Sequence, residues 1–105
     1  MTNFALLVIV VPEARRDEVV DLLMADETSS GFTRSPAAGF GREHSHFSLR
    51  ESVQGFEDRE RFELVCDANL VERLLSELRE IAGRDRFFYW TFPVSGHGVL
   101  SDQSC

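Results

Sequence analysis

Apolar and polar positions fall into six consecutive blocks along the chain, each with the period of one secondary-structure element. Phe4-Ala5-Leu6-Leu7-Val8-Ile9-Val10-Val11 is short, β-branched and apolar at every position, the pattern of a central strand covered on two sides rather than of an edge. Beyond it the period changes. Pro12 suits a first helical turn, Glu13, Asp17 and Glu18 favour the positive end of a helix, and Val19, Val20, Leu22, Leu23 and Met24 supply an apolar face, so a helix is predicted to about Ala25. The polar stretch Asp26 to Ser30 ends it. Gly31 opens a second extended segment through Phe40, and Pro36 within that segment predicts an edge strand or a bulge.

Between Gly41 and Asp58 the periodicity disappears, predicting a connection over about 42–58 that is longer than a hairpin loop and of the kind that commonly carries function. Arg59-Glu60-Arg61-Phe62-Glu63-Leu64-Val65-Cys66 alternates charged and apolar residues before turning apolar, a strand with one wet face that pairs with the second strand. Asp67 is a suitable N-cap, Leu70, Leu74, Leu75, Leu78 and Ile81 recur at helical spacing, and Gly83 is placed to stop a second helix. Phe87-Phe88-Tyr89-Trp90-Thr91-Phe92, closed by Pro93, makes a last strand, and the tail over about 95–105 reads as mobile. The order β-α-β, long loop, β-α-β predicts an α+β, ferredoxin-like βαββαβ sandwich: one domain over residues 1–105, with an antiparallel sheet and both helices on one face. That architecture is reused too widely to assign a function by itself.

Charge and composition narrow the classes. The 105 residues carry a net charge of −7, and all eleven basic residues are Arg, with no Lys. Nucleic acid is therefore not expected as a partner, because binding a phosphate backbone depends on neutralising it, and Schiff-base lysine chemistry is excluded. The run Phe4 to Val11 is far shorter than the roughly 20 residues of a membrane-crossing helix, and no basic residue precedes it as in a secretory signal. A cytoplasmic protein without membrane insertion is expected. Cys66 and Cys105 form no bridge framework, and Cys66, inside an apolar run, reads as a small core hydrophobe. No Ser, Cys or His stands in a motif with a recognisable base, so the expectation is a protein that binds rather than catalyses.

The segment Gly31-Phe32-Thr33-Arg34-Ser35-Pro36-Ala37-Ala38-Gly39-Phe40-Gly41-Arg42 resembles the nitrogen-regulatory PII signalling proteins, whose second strand reads Gly-x-Thr, a spacer, then Gly-Phe-Gly-Arg before a flexible T-loop. More narrowly, Ser48-Leu49-Arg50-Glu51-Ser52-Val53-Gln54-Gly55, Arg61-Phe62-Glu63, and Tyr89-Trp90 with Pro93-Val94 resemble a PII-like subfamily encoded near heavy-metal efflux pumps. The residue chemistry agrees with the family's use of the strand. Gly39 and Gly41 permit close ligand approach, Thr33 offers a hydroxyl, and Arg42 offers a charged fork for phosphate or carboxylate.

The resemblance implies a homotrimer that binds a small-molecule effector, with an adenine nucleotide as candidate, in a cleft between subunits lined by Gly31, Thr33, Gly39, Gly41 and Arg42. Gly83-Arg84-Asp85-Arg86 stands where PII proteins carry Gly-Asp-Gly-Lys, so Arg84 and Arg86 would rebuild the phosphate cradle. Ser95-Gly96-His97-Gly98 replaces the family's Arg-bearing C-terminal segment. Occupancy would select conformations of the loop that dock on a membrane transporter, in the narrower subfamily a heavy-metal efflux system.

A second reading rests on His44-Ser45-His46, whose imidazoles share one face of an extended segment and suit Zn, Cu or Ni. Glu43, His97 and Cys105 could complete a divalent-metal site, in the manner of CutA-like proteins of the same fold. Solvated loop histidines are the plain alternative. The aromatic run Phe87 to Phe92 is expected to pack in the core and at the trimer interface, because the acidic charge argues against a base-stacking platform.

Overall fold

The computed structural model describes residues 3–29, 31–41 and 48–102. Four strands, β1 (Phe4–Pro12), β2 (Thr33–Gly39), β3 (Glu57–Asp67) and β4 (Phe88–Val94), form one sheet in the order β2-β3-β1-β4. Every pairing is antiparallel. Helices α1 (Arg16–Ala25), α2 (Leu49–Gln54) and α3 (Val71–Ala82) complete the described elements together with two single 3-10 turns. This is the ferredoxin-like α+β arrangement that the block order predicts.

The register explains where the core forms. Ala5, Leu7, Ile9 and Val11 of β1 share a face with Phe62, Leu64 and Cys66 of β3, and α1 (Val19, Leu23) and α3 (Val71, Leu74, Leu75, Leu78) close over it. The β1 residues on the other face, Val8 and Val10, are buried too, as a central strand requires. They pair there with Glu63 and Arg61 of β3 and with Trp90 and Phe88 of β4. Arg61 stacks its guanidinium carbon 5.4 Å from the Trp90 ring centre, so long arginine stems and aromatic rings rather than a helix layer flank that face.

Three expectations need correction. Pro12 ends β1 instead of starting a helix, and a 3-10 turn over Glu13–Arg15 intervenes before α1. The connection after β2 holds α2, so it is not wholly irregular. Of the aromatic run only Phe87 packs against the core; β4 is an edge within the chain, with Tyr89 and Phe92 each 53% exposed, because β1 has only two sides and β3 takes the other one. The second strand is the opposite edge, where Pro36 is tolerated. In the tail, the His97 ring meets Phe4 edge-on at 4.3 Å.

Among the described residues Glu60 is the charged residue buried as a whole. Glu60, 3% exposed, lies on the helix-facing side of β3 and accepts from Arg34 Nη1 of β2 at 2.8 Å, with Arg16 Nη1 of α1 at 3.6 Å from its other oxygen. The two arginines are partly exposed and can turn into water, whereas the carboxylate cannot. Arg34→Ala is therefore expected to destabilise the fold by about 1–3 kcal/mol, and Glu60→Leu by less. Urea unfolding of the two variants gives the order, and the reverse order would remove this account of the triad.

Candidate functional site

A cleft of about 530 Å³ opens at one end of the sheet. The antiparallel register gathers it there: β1 and β2 end at this edge, β3 and β4 begin at it. Its walls are Pro12 to Ala14 after β1, Ser48, Arg50 and Glu51 of the α2 arm, Glu57 to Arg59 at the start of β3, and Asp85, Arg86 and Phe88 leading into β4.

The α2 arm has a local cause. Ser48 accepts from the Glu51 amide at 3.2 Å while Glu51 Oε1 accepts from the Ser48 amide at 3.0 Å, a reciprocal cap of the helix start. Gly55 ends the helix in a left-handed conformation, φ 87°, which a side chain would strain. The second oxygen of Glu51 reaches the Asp58 amide at 2.7 Å, and Arg50 Nη1 lies 3.5 Å from Asp58 Oδ2, so two contacts fasten the arm to β3. Phe40 and Phe56, ring centres 5.3 Å apart, close the base of the connection. Burial alone would raise the Glu51 pKa, but the amide hydrogen bonds from Ser48 and Asp58 outweigh it and hold the carboxyl below its ordinary value.

Arg59 is the centre of the cleft. Its Nε donates to Glu57 Oε1 at 2.8 Å, and its guanidinium carbon lies 4.8 Å from the centre of the Phe88 ring. Arg86 approaches the same ring at 5.2 Å. A Cβ on Gly39 would overlap the Arg59 guanidinium group. The expected role of that glycine changes accordingly: the space it leaves houses Arg59 rather than a ligand.

The residues singled out from sequence therefore separate. Gly39 and Arg86 come together through Arg59 and Phe88. Thr33 stands at the far end of β2, about 20 Å from Gly39 along the strand, and Gly31 lies two residues before it. Gly41 and Arg84 are exposed, with no neighbour to a Cβ within 4 Å at Gly41. Arg42, Glu43, His44, His46 and Cys105 lie outside the described residues. Among the described residues no group of three His, Cys, Asp or Glu is placed to hold a metal ion, and no helix is long and apolar enough to cross a membrane. Cys66 packs in the core, where burial, with Asp26 and Asp67 adding, pushes its thiol pKa up and makes it a poor nucleophile.

Arg50, Glu51, Glu57, Asp58 and Arg59 were not anticipated as site residues. The Ser48-x-x-Glu51 spacing is a legible helix-start signal, and Glu57 and Arg59, two apart on a strand, share a face by period alone. Nothing in the sequence pairs them with Phe88 or Gly39.

Two outcomes follow. Gly39→Ala is expected to cost about 1 kcal/mol or less, because the Cβ displaces the flexible end of Arg59 and with it the contacts to Glu57 and Phe88. Arg59→Ala in the same chain should recover part of that loss, and Gly41→Ala should be near neutral; thermal melts of the four proteins decide it. For Glu51, whose pKa is lowered by folding, the contribution is full above its ordinary value near 4.5 and fades as pH falls through the lower folded value. Amide exchange across residues 49–54 should accordingly show protection that is flat from pH 7 to about 5 and lost in acid, with Glu51→Gln weaker than the wild type at neutral pH and converging with it in acid.

Residues 1–101 match the family described as protein of unknown function, DUF3240. The crystal structure of a DUF3240 family protein from Shewanella baltica superposes with a TM-score of 0.79 at 29% identity, covering 96% of this chain and 100% of that one. CPII, a nitrogen regulatory PII-like protein from Thiomonas intermedia bound to ADP, AMP and bicarbonate, aligns with a TM-score of 0.68 at 18% identity over 92% of this chain and 97% of its own. A Bacillus cereus protein related to NIF3 gives 0.68 at 15% identity, covering 90% of this chain and 26% of that one. At such identities the last two are likenesses of fold. No curated protein matches the chain.

Proposed function

Since the chain belongs to the DUF3240 family, whose description names no activity, we propose its function from the cleft itself: a PII-like regulatory protein that binds a compact anionic effector and passes its occupancy to the 42–58 segment. The supporting observation is that a single cleft is walled both by the turn carrying Arg86 and by the α2 arm, so a ligand touching one touches the other. Arg50, Arg59 and Arg86 supply guanidinium forks for carboxylate, carbonate or phosphate oxygens, and Phe88 offers an aromatic surface. The role is binding, with no catalytic step.

The fold shared with a protein that holds ADP, AMP and bicarbonate makes these the first effectors to try. In this reading the chain assembles as a cytoplasmic homotrimer. The β2 edge with Gly31 and Thr33 then meets a neighbouring subunit, and Gly41, Arg42 and Arg84 border the effector. The arm presents Leu49 and Val53, 85% and 83% exposed and one helical turn apart, to its target. That target is a membrane transporter, in keeping with the subfamily resemblance a heavy-metal efflux system.

Native mass spectrometry of the full chain with ATP, ADP, AMP and bicarbonate, and separately with Zn, Cu and Ni, tests the reading. A trimer that retains a nucleotide or bicarbonate is the expected result, with Arg86→Ala weakening retention about tenfold or more. A protein that ignores every anion yet takes up metal, and loses it in His44→Ala/His46→Ala, would overturn it.

A further inference from the structure

Two of the three arginines of the cleft, Arg50 and Arg59, already face carboxylates of the adjoining segment. Arg59 and Glu57 form a close pair whose side chains are only 20% and 12% exposed. Arg50 faces Asp58. The lining holds three arginines against five carboxylates, in a chain of net charge −7. Such a cleft repels a free anion at a distance, and one donor of Arg59, its Nε, is already given to Glu57 while Arg50 Nη1 lies 3.5 Å from Asp58. Asp58 also carries both fastenings of the α2 arm, through its amide to Glu51 and through its carboxylate to Arg50.

We infer that Glu57 and Asp58 are built-in competitors: they hold Arg59 and Arg50 in place of ligand, and a carboxylate, carbonate or phosphate group binds by exchanging with them. The inference rests on the anionic-effector reading and adds its regulation. Exchange at Arg50 removes one of the two contacts between α2 and β3, so occupancy of the cleft and loosening of the arm are a single event. By reciprocity, whatever loosens the arm strengthens anion binding. The competitors also set selectivity, because a ligand must outbid a carboxylate already placed at contact distance.

The test is calorimetric titration of bicarbonate, inorganic phosphate and AMP into the full-length wild type, Glu57→Gln and Asp58→Asn. Both substitutions keep an oxygen acceptor and remove the charge, and matched thermal melts confirm folding. Each is expected to tighten binding of the same anion about threefold to tenfold, and anion should speed amide exchange over residues 49–54 in the wild type. Binding by the variants where the wild type shows none carries the same meaning. Wild-type binding that either variant weakens or leaves unchanged overturns the competitor role alone. Failure of all three proteins to bind any of the anions overturns the anionic-effector reading with it.

Discussion

Everything in this molecule depends on β1 being apolar on both faces. A strand that must be covered on two sides takes the centre of the sheet, with β3 on one flank and β4 on the other. Antiparallel pairing then sends the end of β1 to the place where β3 and β4 begin, and β2, paired to β3, ends there as well. The cleft is the product of that convergence. Its walls come from stretches far apart in sequence that share only an end of the sheet.

Arginine is the second organising element. With no Lys in the chain, every cation is a planar fork on a long stem, able to lie along apolar surface, stack on a ring and grip a carboxylate at once. Arg59 does all three against Gly39, Phe88 and Glu57. Arg61 repeats part of this with Trp90 and Glu63. Arg34 and Arg16 reach from β2 and α1 to the buried Glu60. Arg73 joins α3 to the turn after α1 through Asp26 and Thr28, each at 3.0 Å. These contacts tie the thin edges of a small domain to its centre. They also leave the cleft with more carboxylates than arginines, which distinguishes it from the phosphate cradle that the PII resemblance implies.

Element types were legible wherever a period repeated. The leucines of α3 and the alternation of β3 each specify a face without reference to any other part of the chain. The α2 arm was legible in principle, from Ser48, Glu51 and Gly55, but six residues show too little periodicity to stand out from a loop. The core part of the expectation for the aromatic strand missed for a different reason. Phe88 to Phe92 has the composition of a core, and its exposure follows from being the last strand added to a sheet whose centre was already taken. The motif strand was legible as a motif but not as a geometry. Gly31 and Gly39 look equivalent in sequence, yet one lies open just before β2 and the other holds Arg59 at the far end.

By itself, then, the sequence determined the βαββαβ order, the central place of the first strand, the edge place of the Pro36 strand and the family likeness. All of these follow from local periods and a contiguous motif, which the chain carries within a few residues. Tertiary structure alone decided that Arg59 fills the space at Gly39, that Arg86 and the α2 arm face one cleft, and that Glu57 and Asp58 engage its arginines. Those facts depend on strand register and on the twist that brings side chains from four strand ends together, and no residue's neighbours along the chain encode which side chain will reach it across the sheet.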